Sequence, residues 1–191
     1  MAKFRTSKNQ NSVPESIDLM FRDLKRDPSI KFLGNHQGQI LNKYEKDYLK
    51  NAKDIAIELP TGTGKTLIGL LIAEYRRRVL KERVVYLCPT RQLCSQVHEK
   101  ADLYGINTVT LTGSQRDYNT TEFYNYQRSE VVAITTYSSI FNTNPRINDP
   151  NIIICDDAHA ADDYVASLWL FLLIEITINN CLTKLFVFLS Q

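Results

Sequence analysis

ELPTGTGKT, residues Glu58 to Thr66, joins the apolar run IAIEL (55–59) to a helical pattern that runs from Lys65 to about Leu80. In that pattern Leu67, Ile68, Leu71 and Ile72 recur where one helix face would meet a sheet. A glycine-rich turn between a strand and a helix has a specific physical use. Gly62 and Gly64 let the backbone curl until successive N–H groups converge on an anion, and the helix start near Lys65 adds its positive end. Lys65 has the reach to meet the β- and γ-phosphates of a nucleotide, and the Thr66 hydroxyl can ligate Mg2+. The broad pattern G-x-x-x-x-G-K-[ST] asks for glycine at 59, where this chain has Leu59.

Outward from this loop, short β-rich runs alternate with helical ones: VVYLC (84–88), TVTL (108–111), VVAITT (131–136) and IIIC (152–155). Leu93, Val97, Ala101 and Tyr104 predict a helix between the second and third runs, with Thr90 as its N-cap and Gly105 as its stop. Continuous apolar strands alternating with helices predict an α/β fold, a mostly parallel sheet with helices on both faces. Ligands in such folds sit at the carboxyl ends of the strands, and the candidate motifs fall there. IIICDDAH delivers Asp156 and Asp157 to one such end. Asp156 is placed to bind Mg2+, partly through water, and Asp157 to position or deprotonate an attacking water.

Composition sets broad bounds. The 191 residues suffice for one well-buried core, and a net charge of +2 means that any basic surface must be a local patch. MAKFRTSKNQNS (1–12) carries basic residues with no apolar core after them, which excludes a secretory signal. Cys88, Cys94, Cys155 and Cys181 form no C-x-x-C pair, and three lie in apolar runs, as reduced thiols of a cytoplasmic protein would. Cys94 and His98 are four apart on one helix, yet no second pair completes a metal site, and core packing is the preferred reading. YNTTEFYNYQ (118–127) offers aromatic surfaces to bases, against the plainer reading of a surface helix or loop.

Together these residues resemble the first motor domain of a superfamily 2 helicase of the DEAD/DEAH-box-like kind, a RecA-like P-loop fold, over roughly residues 30 to 160. That family usually replaces the first loop glycine with a small or apolar residue, so Leu59 fits. PTGTGKT (60–66) corresponds to motif I, which implies ATP contacts from Pro60, Thr61, Gly62, Thr63, Gly64, Lys65 and Thr66. DDAH (156–159) is a variant of the D-E-x-H box, with His159 implied to couple the ATP site to later motifs. FLGNHQ (32–37) resembles the upstream glutamine motif, in which Gln37 would read the adenine. Gly34 stands where the family often has Arg, and Gln39 is the alternative glutamine. PTRQL (89–93) resembles the P-T-R-E-L signature with Gln92 in place of Glu; LTG (111–113) and TTYSSIF (135–141) resemble two further loops of the family. Those loops grip the phosphate backbone of one RNA or DNA strand, which implies nucleic-acid contacts from Pro89, Thr90, Arg91, Gly113, Thr135 and Thr136.

Two departures bear on catalysis. Asp157 stands where the family mostly has Glu, one methylene longer, and proton transfer is sensitive to such distances. The family motor also needs a second RecA-like domain, whose arginine fingers are worth roughly 10³–10⁵ in hydrolysis. Nothing after residue 160 resembles that domain, and S-A-T is absent as such. The chain is therefore expected as a single, incomplete domain with weak turnover: a loose polar leader, partly disordered, over 1–30, the ATP-binding helicase domain over 31–165, and an apolar tail, truncated or aberrant, over 166–191. The leader would carry one short helix from Pro14 to Asp27, and a second helix would run from Gln37 to Lys50. KLFVFLSQ (184–191) reads either as a strand leading to the missing motif or as part of an unrelated tail. Glu175 and Asn179–Asn180 interrupt the apolar run before it reaches the length of a membrane span. A one-domain P-loop kinase or NTPase, and a non-catalytic nucleotide- or nucleic-acid-binding module, are the competing readings.

Overall fold

The computed structural model describes residues 13–50, 54–60, 62–114, 116, 118–172 and 185–190. Its helices are α1 (Ile17–Asp23), α2 (Asn35–Lys43), α3 (Lys65–Leu80), α4 (Arg91–Tyr104), α5 (Thr120–Gln127) and α6 (Ala158–Leu172). Its strands are β1 (Asp54–Glu58), β2 (Val84–Cys88), β3 (Thr108–Thr110), β4 (Val132–Thr136), β5 (Ile152–Cys155) and β6 (Leu185–Ser190). They form one six-stranded sheet in the order β1-β6-β5-β2-β4-β3, and each pairing is parallel.

Strand alternation divides the core into two clusters. Val84, Tyr86 and Cys88 face one way and join Ile152 and Ile154 under α1, α2, α3 and α4. Val85, Leu87, Ile153 and Cys155 face the other way, against Tyr126 of α5, Ala161 of α6 and the 3-10 turn Tyr137–Ser139. Helices thus cover both faces, and the expected α/β class is the observed one. α3 is buried around most of its circumference, because it lies between the sheet and α1, α2 and α4. Its one buried acid, Glu74, is gripped by both arms of Arg77 at 2.7 and 2.8 Å. Arg77 also donates to the carbonyls of Ser129 and Glu130, so the buried pair leaves no charge unpartnered and ties α3 to the turn before β4. Arg76 acts as a second staple, pairing with Glu82 at 2.9 Å.

The caps of α4 are those expected. The Thr90 hydroxyl accepts from the N–H of Leu93, and Gly105 closes the helix at φ 69°. α2 begins two residues earlier than its sequence pattern indicated, at Asn35, and continues into a π-helical turn over Tyr44–Tyr48.

Two boundary expectations need correction. The leader is not loose over its described part: Ser16 caps α1, and Ile17, Met20 and Phe21 are buried in the first cluster. Three apolar side chains on one face suffice to dock a two-turn helix on α2 and α3, although the surrounding composition is polar. Residues 1–12 lie outside the described residues. The boundary at 165 falls inside α6, and the region set aside as a tail returns as β6 in the interior of the sheet. β6 pairs with β5 on one side and β1 on the other, so the strand reading of KLFVFLSQ is the one observed. Residues 173–184, Cys181 among them, lie outside the described residues; Cys88, Cys94 and Cys155 are buried free thiols.

The junction between leader and core yields a test. The Asp27 N–H donates to the Leu103 carbonyl at 2.7 Å, and a Cβ on Gly105 would lie 2.6 Å from the carbonyl oxygen of Lys25. Gly105→Ala therefore meets both a left-handed backbone and a collision with backbone. It is expected to cost about 1–3 kcal/mol in urea unfolding.

Candidate functional site

The phosphate-loop segment turns at two left-handed glycines, Gly62 at φ 80° and Gly64 at φ 86°. Gly64 is the N-cap of α3 and has no side chain to occupy the free N–H groups of the first turn. The turn is pinned from within: Thr63 Oγ1 donates to the Pro60 carbonyl at 2.6 Å. Leu59, just before it, is fully buried, so an apolar residue at this position anchors the loop to the core. Lys65 and Thr66 open α3 and are half-buried. Thr61 lies outside the described residues.

Gln37 meets this loop from α2. Its Nε2 donates to the Thr63 carbonyl at 2.8 Å, while its Oε1 accepts from the Gly34 N–H at 3.0 Å. A Cβ on Gly64 would displace the Gln37 amide from the loop, and the left-handed φ of 86° is what favours glycine there. Gln37, twenty-six residues upstream, is therefore a neighbour of the loop. Gln39 lies on the same helix with no contact to the loop among the hydrogen bonds of the described residues.

Asp156 and Asp157 emerge at the end of β5. Between their strand and that of the glycine-turned loop lies β6, with Ser190 level with Glu58. Asp156 is half-buried and its Oδ1 accepts from the Tyr86 hydroxyl at 2.5 Å. Burial pushes its carboxyl above the ordinary carboxylate range; the Tyr86 hydrogen bond and the ammonium groups of Lys100 and Lys65 act in the opposite direction. Asp157 Oδ1 accepts from the N–H groups of His159 and Ala160 at 3.0 and 3.2 Å, so this carboxylate caps α6. The capping role was not read from sequence, although an Asp before a helix is its usual signal. His159 is exposed.

The remaining strand ends lie toward the other side of the sheet. Pro89, Thr90 and Arg91 leave β2, Gly113 follows β3 at φ 89°, and Thr136 ends β4. Thr90 and Arg91 are exposed, and Arg91 forms no ion pair among the described residues. The Thr136 hydroxyl pairs with that of Ser138 at 3.0 Å. Thr135 requires correction as a phosphate contact. It is fully buried, and its hydroxyl donates to the Leu111 carbonyl and lies 2.7 Å from Ser139 Oγ. Alternation along β4 turns Thr135 into the second cluster and leaves only Thr136 toward the strand-end surface. Tyr137 then joins this side to the acidic side, its hydroxyl donating to the Asp157 carbonyl at 2.8 Å. His98 pairs with the Thr108 hydroxyl at 2.6 Å while Cys94 is buried, which is the core-packing reading of that pair. The aromatic stretch folds as α5, with Tyr126 fully buried and Tyr124 exposed.

A parallel sheet covered on both faces, with a glycine-turned loop opening α3 and an acidic pair on the same edge, defines a RecA-like ATP-binding domain. It is the N-terminal RecA-like domain of superfamily 2 helicases. The family described as "Type III restriction enzyme, res subunit" matches residues 31–182, and the chain belongs to it. Over 58 residues it is 41% identical to the DEAD-box ATP-dependent RNA helicase CshC of Bacillus cereus, covering 29% of this chain and 15% of that protein. Over 90 residues it is 37% identical to the ATP-dependent RNA helicase SrmB of Haemophilus influenzae, covering 42% of this chain and 20% of that protein. The chain thus spans a fifth or less of the length of these curated relatives. The UvsW helicase of bacteriophage T4 shares the fold with a TM-score of 0.56 and 17% identity, over 91% of this chain and 58% of that one. No helix among the described residues is long and apolar enough to cross a membrane.

The corrected role of Thr135 is testable. Thr135→Val keeps the shape and removes the hydroxyl, leaving the buried Leu111 carbonyl and Ser139 hydroxyl short of a partner. Unfolding is expected to become easier by about 1–3 kcal/mol, with nucleic-acid affinity unchanged in a filter-binding titration.

Proposed function

We propose that this domain binds Mg-ATP at the Gly62–Thr66 turn and couples binding and hydrolysis to the grip on one nucleic-acid strand. The observation that carries this reading is the turn itself: two left-handed glycines open the first turn of α3, with Lys65 at its start and Gln37 bonded across it. Successive N–H groups and the helix dipole suit a polyphosphate, and Lys65 adds a full charge. Gln37, bonded to the loop at Thr63, is the residue that would meet the adenine edge, and Pro60, Thr61, Thr63 and Gly64 would complete the cradle.

The residues present also fit a hard cation. Among the described residues no cluster of three metal-binding side chains exists. Mg2+ does not need one, since it keeps several waters and takes one or two carboxylates beside substrate phosphates. Thr66 and Asp156 would hold it, and the bound ion would neutralise charge on the phosphates. Asp157 has one oxygen engaged in capping α6, and the other is the candidate to orient water. His159 lies beside it on α6, where it would relay the state of the ATP site to neighbouring motifs.

Across the sheet, Pro89, Thr90, Arg91, Gly113 and Thr136 form a set of short and cationic groups suited to backbone phosphates of RNA or DNA. Efficient turnover would require a second RecA-like domain to close over the nucleotide and supply arginine. The buried reduced thiols fit a cytoplasmic setting. A one-domain kinase is the weaker reading, because the loops that would serve as its acceptor site carry the nucleic-acid signature instead.

Lys65→Ala is expected to weaken ATP binding roughly ten- to hundredfold in isothermal titration; unchanged affinity would refute the phosphate-loop assignment. Asn caps a helix about as well as Asp, so Asp157→Asn separates the two roles of that residue. Its unfolding free energy should stay within about 0.5 kcal/mol of the parent, while nucleic-acid-stimulated hydrolysis falls by roughly 10²–10⁴. Equal turnover in the two proteins would favour a non-catalytic module. Arg91→Ala should weaken nucleic-acid binding and reduce the slope of log affinity against log salt by about one.

A further inference from the structure

Tyr86 occupies the middle of β2 and is fully buried in the cluster beneath α3 and α4. Its hydroxyl reaches the end of β5, where it donates to Asp156 Oδ1 at 2.5 Å. Satisfying a phenol is not by itself a reason for that contact. Among the described residues the buried hydroxyls of Tyr44, Tyr118 and Tyr126 have no hydrogen-bond partner. The Tyr86 hydroxyl is directed instead at the carboxylate that the proposed function assigns to the cation. Pairing of Tyr86 with Ile154 in register brings the two side chains to one face of adjacent strands, two residues apart along β5.

A short carboxylate on a strand end can rotate about its side-chain bonds, and each orientation presents different lone pairs to an ion. A donor fixed in the core removes that freedom. With Oδ1 held by Tyr86, the plane of the carboxylate is set and Oδ2 remains for the cation or its water.

We propose that Tyr86 is a positioning residue for the divalent-cation site, holding Asp156 in the orientation that receives the ion. The proposal rests on the reading of Asp156 as the cation carboxylate. A purely structural tyrosine would matter to stability alone.

The test compares Tyr86→Phe with the parent in the full chain, measuring ATP binding by isothermal titration while Mg2+ is varied, and again in EDTA. The phenylalanine keeps the ring in the core and removes only the donor. The Mg2+ concentration giving half of the metal-dependent gain in ATP affinity is expected to rise about tenfold or more. ATP affinity in EDTA should be unchanged, and adding Tyr86→Phe to Asp156→Asn should have no further effect on the Mg2+ dependence. A Tyr86→Phe protein with the parental Mg2+ dependence overturns the proposal, as does an equal loss with and without Mg2+. If Tyr86→Phe does not fold, Tyr86→Leu also removes the donor and is read in the same way. The underlying assignment is tested separately by Asp156→Asn alone: a parental Mg2+ dependence there would remove Asp156 from the cation site.

Discussion

Every strand of this sheet runs in the same direction, and that constraint organises the molecule. A parallel strand cannot be reached by a tight turn, so the chain must cross over before each new strand; α3, α4, α5 and α6 lie on four of the five crossings, and the one from β4 to β5 holds the 3-10 turn Tyr137–Ser139. It also means that each strand leaves the sheet at the same edge. The phosphate-loop turn, PTR, LTG, Thr136 and DDAH are far apart in sequence, yet all are strand exits. Their convergence follows from the direction of hydrogen bonding rather than from any attraction among them.

The edge so formed is electrically uneven. On one side, the free N–H groups of α3 and Lys65 offer positive charge, while Asp156 and Asp157 stand across β6 with their charges constrained by local contacts. One acid is set by a phenol in the core and the other by the first N–H groups of a helix. Neither is a free surface carboxylate, which is how a protein keeps side chains of low reach in fixed geometry at a strand end. Tyr137 bonds the backbone of Asp157 from the loop after β4, giving the β4 strand end a direct mechanical link to the acidic side.

Much of this was legible in the sequence, for identifiable reasons. The strands VVYLC and IIIC are continuous apolar runs because both of their faces are covered, and they were located to the residue. Thr90 and Gly105 were legible as caps because their chemistry is local. The misreadings involve partners remote in sequence. TTY marks a strand end, but only the pairing of β4 decides that Thr135 turns inward and Thr136 does not. Tyr86 reads as one more core residue until β5 is laid beside β2. The docking of α1 was hidden because a helix with three buried side chains needs little hydrophobic composition to be held. The insertion of β6 between β1 and β5 was hidden because no local pattern specifies which neighbours a strand will choose.

The position of β6 has a consequence for how the domain is made. β1 is followed directly by the glycine-turned loop, yet its sheet partner, β6, is made only after β2, β3, β4 and β5. At about 5–20 residues per second, the ribosome delivers Leu185 roughly 6–25 s after Glu58. During that interval β2, β3, β4 and β5 can pair among themselves, while β1 waits without a neighbour and the loop after β1 and the acids after β5 have no fixed separation. Pairing of β6 is thus a single step that joins β1 to the other strands and sets the separation of Asp156 from the glycine-turned loop. In a nascent chain that separation would be set in one step, when β6 pairs, rather than gradually.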